Sequence, residues 1–198
     1  QESETLSKEE IRFADTIRES AERLVLLVND FLEIARIQSG KLKIEEKPID
    51  IRKTIETVVM SLTEEAKDKG LQLIYTPSLK PQILATDENR LVQILTNIVS
   101  NSIKYTQSGT VEISCESERN GIVIRVKDTG MGISAEDQKK LFAPFARVGG
   151  VEKTTTTGTG LGMWITKQMI ELLRGTIAVE SIKEVGTHVV MHFKHAKH

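Results

Sequence analysis

The sequence predicts an α+β fold: a two-layer sandwich of a mixed β-sheet and helices, preceded by one long helix. Two observations predict it. Residues 7–39 contain no proline and no internal glycine, and their apolar residues recur at helical spacing. Beyond residue 49, amphipathic stretches opened by Asp and closed by Gly are mixed with short runs of alternating hydrophobicity, the pattern of helices laid on one side of a sheet.

In the first stretch Ala14, Ile17, Ala21, Leu24, Val28, Phe31 and Ala35 are spaced 3, 4, 3, 4, 3 and 4 apart, the repeat of a helix that packs along a seam. Leu27, Leu32 and Ile34 widen the stripe, which favours a bundle over a two-stranded coil. A helix of about 30 residues is about 45 Å long and would overhang a small domain, so it wants a partner helix. Gly40 is placed to end it. Residues 41–48 alternate around Leu42 and Ile44 and read as a linker strand, so the division is 1–40, 41–48 and a compact domain over 49–198.

Within that domain Asp50 caps a helix with Ile51, Ile55, Val58, Val59, Leu62 and Ala66 on one face, stopped by Gly70. Strands follow near residues 71–75 and 82–85, and Asp87 caps a helix reaching about Tyr105. One stripe of that helix, Leu91, Leu95, Ile98, Val99 and Ser102, faces inward. A second, Arg90, Asn97, Asn101 and Lys104, is polar and can converge on one object. Strands at 110–116 and 122–127 lead into Asp128-Thr129-Gly130-Met131-Gly132. Ser134 opens a short helix with a Ser-x-x-Asp variant of the capping box. Residues 146–157 lack periodicity and read as a mobile loop. Gly158-Thr159-Gly160-Leu161-Gly162 opens a helix stopped by Gly175, and strands at 176–182 and 187–194 close the chain around a turn with Gly186.

Composition excludes several classes of function. A net charge of -1 over 198 residues removes the electrostatic case for nucleic acid or an anionic membrane as main partner. The longest apolar run of the first helix, at residues 24–28, is far short of the roughly 20 residues that span a bilayer, and no signal-peptide pattern opens the sequence. The single cysteine, Cys115, sits at a strand position and forms no disulfide within the chain. A soluble, cytoplasmic protein or fragment is expected. His188, His192, His195 and His198 all lie in the closing strand or tail and read as structural or solvated.

Four separated elements supply complementary parts for a nucleotide. Asp128 offers an acceptor for an exocyclic amine, and Gly130 and Gly132 would let a flat ring approach the backbone. Taken alone, this motif reads as a plain strand exit. Asn101 offers a neutral oxygen suited to Mg²⁺. Gly160 and Gly162 at a helix start expose N–H groups to an anion, and the loop between Ala146 and Thr157 could close over it.

These elements, in this order, resemble the ATP-binding domain of sensor histidine kinases, within the wider family that includes DNA gyrase B, Hsp90 and MutL. Residues 97–106 resemble its asparagine box, 128–133 its first glycine box, Leu141-Phe142-Ala143-Pro144-Phe145-Ala146-Arg147 its phenylalanine box, and 158–162 its second glycine box. Gly186-Thr187 resembles its last pocket element. Trp164 departs from the smaller aliphatic residue usual there.

The resemblance implies a Bergerat-type fold with ATP or ADP and Mg²⁺ as cofactors. Asp128 would bind the adenine amino group with Thr187 supporting it through a shared water, and Tyr105 would line the base. Asn101 would hold Mg²⁺, Lys104 and Arg147 would contact phosphate, and the segment with Gly158, Gly160, Leu161 and Gly162 would cradle it. As surface residues, Lys104 and Arg147 would simply be solvated. Asn97 stands where the family's ATPases have a water-activating glutamate, and an amide is a poor general base. A histidine nucleophile is therefore implied. Residues 7–42 resemble the second helix of the kinases' dimerisation hairpin. The histidine-bearing first helix is not contained in the chain, so this fragment would not autophosphorylate. Its partners would be that helix, a response regulator receiver domain and possibly a second copy of itself. The alternatives are a self-contained ATPase or clamp of the same superfamily, and a nucleotide-binding interaction module without catalysis.

Overall fold

The computed structural model describes residues 7–146 and 159–195. The first helix, α1 (Lys8–Gln38), begins with a full capping box: the Ser7 hydroxyl accepts the Glu10 N–H at 3.3 Å, and the Glu10 carboxylate accepts the Ser7 N–H at 2.7 Å. Gly40, at φ +63°, turns the chain out of it. The predicted seam is bare: Ile17, Leu24, Val28 and Phe31 are exposed. It is Leu27, Ile34 and Ile37 that pack against the domain core. One helix thus presents two apolar faces, and the domain covers only one of them.

The linker departs from expectation. Residues 41–46 form no strand, although Leu42 and Ile44 are half-buried as their alternation required. A strand needs a hydrogen-bonding partner, and the one observed, residues 83–86, pairs with residues 47–50 alone. β1 (Lys47–Asp50) therefore pairs antiparallel with β3 (Ile83–Thr86) in a separate two-stranded sheet that the sequence did not reveal. Between them, α2 (Ile51–Asp68) starts at Asp50, which accepts the N–H groups of Arg52 at 3.3 Å and Gln82 at 3.1 Å and ion-pairs with the Arg52 guanidinium at 2.6 Å. One residue thereby caps α2 and ties it to β3.

β2 (Gln72–Tyr75) and α3 (Glu88–Tyr105) follow, the latter capped by Asp87, whose other oxygen accepts the Glu45 N–H at 3.0 Å. The main sheet adds β4 (Thr110–Glu118), β5 (Gly121–Asp128), β6 (Gly175–Ile182) and β7 (Gly186–Lys194) in the order β2-β4-β5-β7-β6. β2 runs parallel to β4 and the remaining pairs are antiparallel, so the sheet is mixed as predicted. Val111, Ile113 and Cys115 of β4 stand opposite Asp128, Val126 and Ile124 of β5, which in turn face Thr187, Val189 and Met191 of β7. This row of side chains is the sheet's half of the core; α2, α3 and α5 (Gly162–Leu172) supply the other half. Cys115 is buried among them, and burial pushes its thiol up to about 11, so it is inert.

The end of α5 is a second correction. The left-handed residue is Arg174, at φ +59°, and Gly175 already belongs to β6. Glycine is needed at 175 for closeness: a Cβ there would sit 2.8 Å from the His192 carbonyl oxygen.

Candidate functional site

The site is built along α3. Its C-terminal end meets the Asp128 turn, and Asn97 and Asn101, one to two turns earlier, meet the start of α5. Asn97 and Tyr105 are about 12 Å apart along the helix axis.

At the first end Asp128 is 7% exposed. Its Oδ1 accepts the N–H groups of Gly130 at 3.0 Å and Thr187 at 3.1 Å, and the Ser102 hydroxyl also bonds the carboxylate. Burial nonetheless raises its pKa above the ordinary carboxylate value, because three hydrogen bonds offset only part of the lost hydration. Both main-chain donors converge on one oxygen.

The glycines of the turn are also required by the protein's own packing. A Cβ on Gly130 would lie 2.7 Å from the Tyr105 carbonyl and 2.9 Å from Asp128 Oδ1, and one on Gly132 would overlap the Ile182 carbonyl. Gly132 also sits at φ +62°. They let the protein's own backbone close around the carboxylate, with the Met131 N–H bonded to the Tyr105 carbonyl at 3.2 Å. Thr187 meets Asp128 directly through its N–H, and its hydroxyl lies 3.0 Å from Ser181 Oγ.

At the other end Asn97 donates its Nδ2 to Thr166 Oγ1 at 2.6 Å, and a Cβ on Gly162 would come within 2.9 Å of its Oδ1. The Asn101 amide nitrogen donates to that Oδ1 at 3.5 Å and approaches Met163 Sδ at 3.8 Å, so its carbonyl oxygen is outside these bonds. Among the described residues no three His, Cys, Asp or Glu side chains gather as metal ligands. A single amide oxygen still fits Mg²⁺, which takes most of its ligands from water and phosphate.

Lys104 lies with its ammonium 5.2 Å from the centre of the Tyr105 ring, a cation–π contact that places both side chains at the Asp128 end of α3. Gly160 packs on the backbone of Phe145, and Leu161 is the N-cap residue of α5. Arg147, Gly158 and the threonines of the expected loop lie outside the described residues.

Three residues were not foreseen. Ser102 had been read as core, although a hydroxyl on the apolar stripe of α3 was its signal. Ser181, which accepts the Ile133 N–H and donates to the Gly186 carbonyl, and Thr166 gain their places only through cross-chain packing.

Residues 86–197 match the family model described as histidine kinase-, DNA gyrase B-, and HSP90-like ATPase. The chain belongs to this ATPase family. Its relatives there include the hybrid signal transduction histidine kinase L of Dictyostelium discoideum, 36% identical over 89% of the chain and 11% of that protein. The signal transduction histidine-protein kinase BarA of Escherichia coli is 34% identical over 90% of the chain and 20% of its own length. The chain spans a fifth or less of these curated relatives. Among solved structures, full-length ShkA in complex with AMPPNP superposes with a TM-score of 0.81 at 27% identity, over the whole of this chain and 42% of that one. The Acinetobacter baumannii histidine kinase AdeS shares the fold at a TM-score of 0.78 and 22% identity, over 97% of this chain and 88% of that one.

Proposed function

We propose that this chain is the ATP-binding catalytic part of a sensor histidine kinase. It holds Mg-ATP for transfer of the γ-phosphoryl to a histidine on a helix not contained in the chain, from which a response regulator receives it. In that transfer an imidazole nitrogen bonds to the γ-phosphorus as the bond to the bridging oxygen breaks and ADP leaves.

The observation that carries the reading is the buried carboxylate of Asp128. Both of its main-chain donors gather on Oδ1, so beyond these and the Ser102 hydroxyl the carboxylate keeps acceptor capacity for a base, and an exocyclic amine satisfies it where a carbonyl would repel it. Lys104 would meet phosphate, as would Arg147, Gly158, Gly160, Leu161 and Gly162, while Tyr105 would line the base. Asn101 would hold Mg²⁺, an ion that supplies neutralisation of phosphate charge when bound. Asn97 supports transfer to a histidine over hydrolysis: its nitrogen is committed to Thr166, and an amide cannot deprotonate water. Among the described residues no helix is long and apolar enough to cross a membrane. The exposed seam of α1 suits a partner helix, in a hairpin or a homodimer.

Calorimetry with ATP and GTP on the unaltered chain and Asp128→Asn tests the reading. ATP should bind and GTP should not, and the variant should lose about tenfold or more in ATP affinity, the scale of one hydrogen bond to a charged group. Equal ATP affinity in the two proteins contradicts it.

A further inference from the structure

The start of α5 carries a hydrogen-bond relay that begins outside the family domain, on α1. The Thr159 hydroxyl donates to Asp30 Oδ2 at 2.5 Å, and Thr159 Oγ1 in turn accepts the Leu161 N–H at 3.2 Å. A hydroxyl has one hydrogen, so by giving it to Asp30 the threonine must face Leu161 with a lone pair. The N–H of the N-cap residue of α5, a donor that an anion at this helix start would use, is thus occupied by the chain itself.

A second polar contact lies beside the apolar packing of Leu27, Ile34 and Ile37 on the core. Glu33 and Arg90 pair at 2.7 Å with side chains 12% and 23% exposed, pinning α1 to α3. The Leu161 side chain also borders an apolar groove of about 300 Å³, lined from α1 by Leu27, Val28, Phe31 and Leu32 and across from it by Phe145.

We propose that Asp30 and Thr159 are positioning residues that set nucleotide affinity: the Asp30–Thr159–Leu161 relay competes with nucleotide phosphate for the Leu161 N–H. This rests on the nucleotide reading above. By linkage, phosphate that displaces Thr159 from Leu161 weakens the hold of Asp30, so nucleotide loosens α1 from the domain by the same factor that α1 costs nucleotide affinity.

The test is calorimetry of the full chain and its variants Asp30→Ala and Thr159→Ala with Mg-ATP and, separately, with adenosine. Each variant should bind ATP about three- to tenfold more tightly, the range for one partly exposed charge-assisted hydrogen bond, and bind adenosine as the unaltered chain does. Hydrogen exchange of the α1 amides in the unaltered chain should speed up when ATP is added. A general structural effect would move ATP and adenosine together and would overturn the proposal, as would unchanged or weaker ATP binding in the variants. Failure of the unaltered chain to bind ATP would overturn the nucleotide reading itself.

Discussion

Asp128 is costly to keep ionised in the folded chain, and that cost has a pH signature. Its folded pKa is raised, so the folded state holds this proton more tightly than the unfolded chain. Its contribution to stability is therefore full below the unfolded value of about 4 and is lost as pH rises through the folded value. Asparagine keeps an oxygen for the Gly130 and Thr187 N–H groups and avoids the charge. Asp128→Asn should thus unfold at the same or a higher temperature than the unaltered chain at neutral pH, with the difference closing towards pH 4, as melting curves across that range will show. A large loss of stability at pH 7 would mean that the carboxylate serves the fold. The acceptor was legible only through its company: alone, an acidic residue before Gly-x-Gly reads as a plain strand exit, and the asparagine stripe and the later glycines are what single it out. Its partners were not: the Thr187 N–H reaches it through the β5–β7 register and the Ser102 hydroxyl through helix packing.

Among the elements, helices were legible wherever a side chain caps them. Asp50, Asp87 and Ser134 all begin helices as their place in the sequence predicts, and Ser7 caps α1 in the same way. What escaped was pairing. The alternation of residues 41–48 is real in burial, but which residues form the strand was decided by β3, over thirty residues away. Asp50 joins the two kinds of information, capping α2 locally and binding Gln82 at a distance. The hydrogen bond and ion pair from Arg52 hold its carboxyl down at about 2. Asp50→Ala should cost about 1–3 kcal/mol in denaturant unfolding at neutral pH, the sum expected of a lost cap and an orphaned donor. A depressed carboxylate stabilises above its unfolded pKa, so the deficit should shrink as pH falls from about 4 to about 2.

At the scale of the whole molecule, α1 and the ATPase-family domain are joined by few contacts, and α1 leaves an apolar seam uncovered. The repeat of that seam was legible because its period is a property of one helix. Which face would meet the domain was not, since Leu27, Ile34 and Ile37 differ from the seam only in what they touch. α1 offers one apolar face to the domain and leaves another uncovered, which suits it to the proposed role beside a histidine-bearing helix. The measurement that bears most directly on this is incubation of the chain with γ-labelled ATP and a separately supplied, histidine-bearing helix of the hairpin. Acid-labile label on that helix, absent when Asp128→Asn replaces the unaltered chain, is the expected result. Steady release of labelled phosphate to water, with none on the helix, would contradict it.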